Sequence, residues 1–312
     1  MPKRKRSTND KESSKSKRVC NIWAPMKKLE KSEVWVSGTK VHNYLLNDPL
    51  IDWLERYYLD TCTSNRDVQE QKLKDERSKM TTLFGNGLSF EASVFEQLET
   101  RYPNKCVKIT TEHTQLTQEY YEKTLAEMRK GTPIIMQAVL VDEAKHLRGI
   151  ADLLIRSDYI NKIFDTTQLA DDEINVEAPK LGLDVHYRVI DIKWTTLHLC
   201  VNGKSIRNSG RVAAYKGQLT IYNTILGEMQ GYYPNKSFIL GHAWKSGEQK
   251  GDSCFDLLGH IDYCGFDSEY IKRTIAAIKW VRELHTEGHS WSINPPSRPE
   301  LYPNMSNTND LP

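Results

Sequence analysis

The chain lacks any apolar run long enough to cross a bilayer, and its first residues lack the apolar stretch of a secretory signal peptide. These absences predict a soluble intracellular protein with no membrane partner. The six cysteines include no Cys-x-x-Cys pair. The sequence therefore indicates neither a structural zinc site nor an iron–sulfur cluster, since both use closely spaced cysteine ligands.

The excess of positive charge is confined to the N-terminus. The 312 residues carry a net charge of +2, but residues 1–18 alone contain eight basic and two acidic side chains. The remainder of the chain is therefore net acidic. If the folded part binds nucleic acid, it must do so through a local basic patch, because it has no general positive field.

The N-terminal segment is too polar to build a core. We predict a disordered basic tail over residues 1–30, because a charged segment with few apolar residues cannot offset the entropy of folding. The clusters at 3–6 and 15–18 resemble a bipartite nuclear localisation signal, and the alternative is a solvated arm with weak phosphate affinity. We expect one folded domain over residues 31–290 and an irregular tail over 291–312.

Two apolar strands predicted near the middle of the chain contain charged residues. The segment 150–155 is apolar except for Asp152, which is typical of a central strand covered on both faces. In the segment 189–194, Asp191 and Lys193 stand two residues apart and so share one face of a strand. Because burial penalises an isolated carboxylate, two carboxylates and a lysine in such strands predict a metal site.

An acid also interrupts the apolar face of a helix predicted over residues 83–101. Glu91 follows Leu88 by three residues and precedes Phe95 by four, which places it on the buried stripe. A glutamate there is out of place in a helix that only packs. The alternative is that Glu91 lies at the edge of the stripe and reaches water, in which case Glu96 is the substitute candidate.

A basic loop and a further helix follow the second charged strand. Residues 201–211 are polar and predict a loop that contacts phosphate groups. The three basic side chains of this loop are those of Lys204, Arg207 and Arg211. The helix predicted over 212–226 carries Gln218 and Tyr222 four residues apart, so both lie on one face.

Other polar groups favour structural roles. The acidic run Asp171-Asp172-Glu173 resembles a set of metal ligands, but adjacent side chains do not readily converge, so we interpret it as a solvated loop. His242 and His260 each follow a glycine in a predicted hairpin. Neither histidine has a metal-binding partner at a fixed spacing, and we interpret both as structural.

The order of these elements resembles the PD-(D/E)XK nuclease superfamily, specifically its RecB-like exonuclease branch. The resemblance rests on an acid-bearing helix, a Gly-x-x-Asp strand at Asp152, an Asp-x-Lys strand at Asp191 and a Gln-x-x-x-Tyr helix at Gln218. It spans residues 83–240. It implies an α/β fold with a restriction-endonuclease-like mixed central sheet flanked by helices.

The resemblance also implies a metal-dependent deoxyribonuclease, an exonuclease in replication, recombination or repair. In that family the residues matching Asp152 and Asp191 hold one or two Mg²⁺ or Mn²⁺ ions, hard cations that prefer carboxylate oxygen. Glu91 would add a carboxylate and Ile192 its backbone carbonyl. Lys193 would orient the attacking water and stabilise developing negative charge.

The resemblance also implies a role for the helix that follows the two strands. Gln218 and Tyr222 would position the active site or the nucleic-acid strand; the alternative is a half-buried pair on a packed helix.

The chain also departs from the family pattern. Relatives often carry histidine where this chain has Glu91. CRISPR-associated relatives hold an iron–sulfur cluster through late cysteines, and the last twenty residues here contain none, so we expect no cluster. The second functional hypothesis is a non-catalytic nucleic-acid-binding or scaffold protein that keeps the fold.

Overall fold

A computed structural model describes residues 22–57, 85–110 and 116–304. Both basic clusters of the predicted tail lie outside these residues, as do residues 305–312. In the described parts the chain is a mixed α/β structure, with a mostly open mixed sheet flanked by helices. Among the described residues, no helix is both long and apolar enough to cross a bilayer.

The described strands form one sheet in the order β2-β3-β4-β5-β6-β7, and β1 and β8 pair with β4 and β6. They are β1 (Val36–Ser37), β2 (Cys106–Lys108), β3 (Ile134–Asp142), β4 (Leu147–Arg156), β5 (Tyr187–His198), β6 (Lys236–Ser246), β7 (Gln249–Gly251) and β8 (Gly259–Asp262). β3, β4 and β5 pair antiparallel, whereas β5 and β6 are parallel. The central strands β4 and β5 agree with the strands predicted from the sequence, and β6 with β8 forms the predicted hairpin.

The helices pack on the sheet and on one another. They are α1 (Ala24–Lys27), α2 (His42–Leu45), α3 (Leu50–Tyr57), α4 (85–101), α5 (Gln118–Lys130), α6 (Ser157–Ile163), α7 (Asp171–Ile174), α8 (Val212–Gln230) and α9 (Glu269–Glu287). Helix α5 shows the local signals clearly. Thr117 caps its first turn by accepting from the backbone N–H of Tyr120, and Gly131 ends it in a left-handed conformation with φ of 74°.

The apolar core consists of two clusters. One contains the apolar residues of α8 and α9 with Val189 of β5, and the other contains those of α4 with Ile190 and Ile192. The alternation along β5 is that of a strand covered on both faces. Helix α8 is buried over most of its length, and its buried polar side chains, such as those of Thr220 and Asn223, donate hydrogen bonds to backbone carbonyl groups.

Two segments differ from the sequence prediction. Residues 22–30 were assigned to the tail, but Trp23 and Met26 are buried in the core around α1, and the Trp23 ring meets that of Tyr263 at 4.8 Å. The acidic run at 171–173 forms helix α7 instead of a loop. Both short elements are held by tertiary contacts, which a composition average over a long window does not detect.

The described C-terminal residues pack on the fold. The Trp291 ring stacks on Trp280 of α9 with centroids 5.2 Å apart, and Leu301 is buried. Residues 305–312 lie outside the described part of the chain.

Candidate active site

The two acidic strands come together where β4 and β5 separate. Their antiparallel ladder extends as far as the pair Leu153 and Ile190 and stops there. The backbone N–H of Ile192 donates instead to Oδ2 of Asp152, 2.6 Å away. The Asp152 side chain therefore takes the place of a backbone acceptor at the point where the strands open.

Asp191 and Lys193 share one face of β5, as their spacing predicted. The Nζ atom of Lys193 lies 2.6 Å from Oδ2 of Asp191, and the side chain of Asp191 is 1% exposed while that of Lys193 is 22% exposed. Burial alone would lower the pKa of Lys193, but the charges of Asp191 and Asp152 outweigh it and raise the pKa. Lys193 is therefore an ammonium at neutral pH.

The carboxylates at this point repel one another. Burial raises the pKa of Asp152 well above its ordinary value, the nearby charges of Asp191 and Glu91 raise it further, and Lys193 opposes them. A single lysine does not neutralise three acids. The cluster therefore favours an additional cation.

Gln137 of β3 is a site residue that the sequence analysis missed. The pairs on either side of it place it opposite Asp152 in the β3–β4 ladder, and its φ of 52° is left-handed. Met136 and Ala138 would share one face of a regular strand, but they belong to different core clusters. The two faces of the strand therefore exchange at Gln137. A left-handed conformation is costly for a residue with a Cβ, and such strain concentrates at functional sites.

The Gln137 side chain links β3 to α4. Its Nε2 donates to Oε1 of Glu91, while its own Oε1 is buried and accepts no hydrogen bond from the described residues. Glu91 is partly buried, whereas the alternative candidate Glu96 is exposed. Gln137 therefore orients Glu91 beside Asp152. The available signal was a lone glutamine in an otherwise apolar strand, the same kind of signal that identified Asp152.

Gln218 connects Asp191 to two further side chains. Its Nε2 donates to Oδ1 of Asp191 at 3.3 Å and to the hydroxyl of Tyr222 at 3.2 Å. Its Oε1 lies 3.2 Å from Nε2 of His42. Because an amide oxygen only accepts, His42 carries its proton on Nε2. Burial, reinforced by the charge of Lys193, lowers the pKa of His42 to about 4, so the ring is neutral.

His42 is the second residue that the sequence analysis missed. It is the first residue of the four-residue helix α2 and lies 176 positions before Gln218 in the chain. A single histidine in a short element carries no specific pattern. Only the packing of α2 against α8 shows its role.

Two glycines make room for the Gln-Tyr pair. A Cβ on Gly149 would lie 2.2 Å from Cε1 of Tyr222, and a Cβ on Gly38 would lie 2.7 Å from Cγ of Gln218. Gly149 is the glycine of the Gly-x-x-Asp pattern. The two sequence patterns are therefore physically coupled, since the first supplies the space that the second fills. Gln218 and Tyr222 are both buried.

The three predicted phosphate contacts lie in different surroundings. Arg211 is exposed at the start of α8, and its charge contributes to the lowered pKa of His42, so it belongs to the site. Arg207 donates from Nε to the carbonyl of Leu199, 3.0 Å away. Lys204 is exposed in the same loop. The structure thus associates Arg211, but neither Arg207 nor Lys204, with the acidic cluster.

A cavity of about 310 Å³ adjoins the cluster on the α8 side. Its lining includes Thr195, Thr196, Arg211 and Tyr215. The Nζ atom of Lys193 lies 5.5 Å from the centroid of the Tyr215 ring. This cavity offers space for a substrate beside Lys193.

The oxygen atoms present at this site suit a hard divalent cation as ligands. In the described part of the chain, no three His, Cys, Asp or Glu side chains are grouped closely enough to hold a metal ion in their present positions. The acids around Asp152 nevertheless repel one another, and the buried amide oxygen of Gln137 has no hydrogen-bond donor among the described residues. Carboxylate and amide oxygens are ligands that Mg²⁺ and Mn²⁺ accept. The N–H of Ile192 is used by Asp152, and its carbonyl remains a predicted ligand.

Most of the predicted site residues meet at one place. The set comprises Glu91, Asp152, Asp191, Ile192, Lys193, Arg211, Gln218 and Tyr222. No family model, curated protein or solved structure matches this chain. Functional conclusions therefore depend on the geometry and chemistry of this set.

We expect Gly149→Ala to destabilise the protein by about 1 to 3 kcal/mol, the usual cost of an added methyl group in a packed site. The rigid ring of Tyr222 leaves that methyl group no space. Urea unfolding followed by circular dichroism measures the change. Gly87→Ala is the control, because a Cβ there meets nothing within 4 Å and alanine is favoured in helices. Unchanged stability of Gly149→Ala would contradict the close approach.

We expect His42 to make the stability of the protein depend on pH. The unfolded chain protonates His42 near pH 6.5, whereas the folded protein resists protonation until about pH 4. The contribution of neutral His42 to stability is therefore complete above pH 6.5, and it decreases by about 3 kcal/mol as the pH falls to about 4. The measurement is the unfolding free energy of wild type minus that of His42→Asn across this pH range. A difference that stays constant with pH would refute the buried neutral state.

Proposed function

We propose that this chain is a metal-dependent nuclease that hydrolyses DNA phosphodiester bonds on a restriction-endonuclease-like, RecB-like fold. The observation that carries the proposal is the meeting of Asp152, Asp191 and Lys193 at the point where β4 and β5 separate. Gln218 of α8 reaches the same point by its hydrogen bond to Asp191. Acids, a charged lysine and an orienting amide are the parts that such hydrolysis needs.

Each side chain has a distinct part in the proposed reaction. When bound to Asp152 and Asp191, with Glu91 and the Ile192 carbonyl as further candidates, a divalent cation supplies a water of lowered pKa and neutralises phosphate charge. Lys193 donates hydrogen bonds to the attacking water and to the oxygen that gains negative charge. Since its pKa is raised, Lys193 acts as a cation and not as a general base.

The surrounding groups hold this arrangement in place. Gln218 fixes the orientation of Asp191, and His42 fixes the orientation of the Gln218 amide. Tyr222 gives the same amide a second acceptor. We assign these three as positioning residues.

The nucleic-acid strand is proposed to pass through the cavity beside Lys193. Arg211 lines this cavity at the N-terminal end of α8, where its guanidinium and the positive end of the helix dipole would stabilise a phosphate. Lys204 and Arg207 would contact the strand farther along. An exonuclease acting in replication, recombination or repair is the form of activity that we propose.

A second candidate is a non-catalytic nucleic-acid-binding or scaffold protein. The direct ion pair between Asp191 and Lys193 favours it, as does the lack of a ready three-ligand group among the described residues. The two candidates differ in whether bound nucleic acid is cleaved.

We expect Lys193→Ala to lower the cleavage rate by at least about 100-fold, since it removes the donor that stabilises developing charge. Labelled single- and double-stranded DNA and RNA, each with Mg²⁺ or Mn²⁺, test cleavage in one assay. Lys279→Ala is the control, because the Lys279 side chain is 75% exposed on α9. Full activity in Lys193→Ala would exclude the proposed mechanism. Absence of product with every substrate would favour the non-catalytic candidate.

We expect Mn²⁺ to raise the melting temperature of the wild-type protein, because it relieves the repulsion among the acids. At about 100 times its dissociation constant, a ligand stabilises the folded state by roughly 3 kcal/mol. Asp152→Asn should be more stable than wild type in EDTA and should lose the Mn²⁺ response. Asp252→Asn, at an exposed position, should behave as wild type. An equal Mn²⁺ response in Asp152→Asn would rule out this metal site.

A further inference from the structure

An exposed tryptophan follows the candidate catalytic lysine. Trp194 is 46% exposed, although the preceding residues of β5 from Tyr187 to Ile192 are buried. The β5–β6 register shifts between Lys193 and Thr196. A bulge of this kind redirects a side chain that would otherwise continue the buried alternation.

Trp194 is part of a cluster of three rings, which we name the aromatic platform. Its ring stacks on that of His242 with centroids 4.3 Å apart and an angle of 30°. The ring of Phe90 meets Trp194 edge-on at 5.4 Å and His242 at 6.4 Å. The platform of Phe90, Trp194 and His242 thus joins α4, β5 and β6. His242, interpreted as structural from the sequence, supports the tryptophan ring.

Two residues of the platform are sequence neighbours of residues in the proposed catalytic centre. Phe90 immediately precedes Glu91 on α4, and Trp194 immediately follows Lys193 on β5. Consecutive Cα atoms are about 3.8 Å apart. Because neighbouring residues of a strand project to opposite faces, Lys193 lies on the α8 side of β5 and Trp194 on the α4 side. A nucleic-acid strand that crosses the gap between β4 and β5 at Lys193 would present its next base to the Trp194 ring.

We propose that the aromatic platform binds an unpaired nucleobase next to the cleaved phosphate, so that the substrate is a single-stranded end or a frayed duplex end. This inference rests on the proposed nuclease function. Exposed aromatic rings bind single strands by stacking, which tolerates any base because every base has a π-face. A base inside an intact duplex has both faces covered by its neighbours and cannot stack on Trp194. The platform therefore selects single-stranded over double-stranded nucleic acid, whatever the base sequence.

Binding of fluorescently labelled oligonucleotides in EDTA tests the platform without requiring cleavage. We expect Trp194→Ala to weaken binding of single-stranded DNA by roughly 5- to 100-fold, the range for loss of one base stack. Binding of a closed, blunt duplex should change little. Trp194→Phe should retain most of the affinity because it keeps a ring. Tyr302→Ala, which removes another exposed ring, 62% exposed, should bind as wild type.

A modified oligonucleotide keeps the test valid if Trp194→Ala folds poorly. Abasic nucleotides near the end of the strand should weaken binding to the wild-type protein by the same factor as the substitution. They should have no further effect on binding by Trp194→Ala, since coupled partners are not additive. They should still weaken binding by Trp194→Phe, which keeps a ring.

The possible failures are distinguishable. Cleavage that depends on Lys193, together with unchanged single-strand binding by Trp194→Ala, would overturn the platform and leave the nuclease proposal intact. Failure of the wild-type protein to bind single strands would also overturn the platform, and would indicate that another partner covers these rings. Single-strand binding that depends on Trp194, without any cleavage, would support the platform and favour the non-catalytic candidate.

Discussion

The hydrogen bond from the Ile192 N–H to the Asp152 carboxylate is the contact on which the site depends. Because a buried backbone donor without an acceptor is costly, β4 could not leave β5 at this point unless a side chain replaced the lost ladder bond. Asp152 replaces it. The strands can then separate beside Asp191 and Lys193. One carboxylate thus shapes the fold and supplies the proposed chemistry.

The separation comes at an electrostatic and a conformational cost. Burial and the neighbouring acids raise the pKa of Asp152, and the charge of Lys193 and the hydrogen bond from the Ile192 N–H oppose them. Opposite Asp152, Gln137 adopts a left-handed backbone conformation and leaves a buried amide oxygen without a donor. Costs concentrated in a few adjacent residues, while the surrounding core is well packed, are typical of a functional site.

Much of the fold could be predicted because its signals are local. The central strands, α5, α8 and the hairpin of β6 with β8 follow apolar periodicity and capping residues along the chain. The short elements could not be predicted in this way. Helix α1 exists because Trp23 and Met26 reach the core, and α7 forms within a segment whose acids indicated a loop. Elements of one turn have too little intrinsic stability to be encoded locally.

The sequence by itself determined which charges interrupt apolar strands and in what order, since a buried Asp152, Asp191 or Lys193 stands out against its own neighbours. Only the tertiary structure decided what these residues meet. The contact of His42 with Gln218 spans 176 positions. The exposed ring of Trp194 lies at a register shift between two strands. Such contacts depend on strand register and helix packing, and no local pattern specifies them.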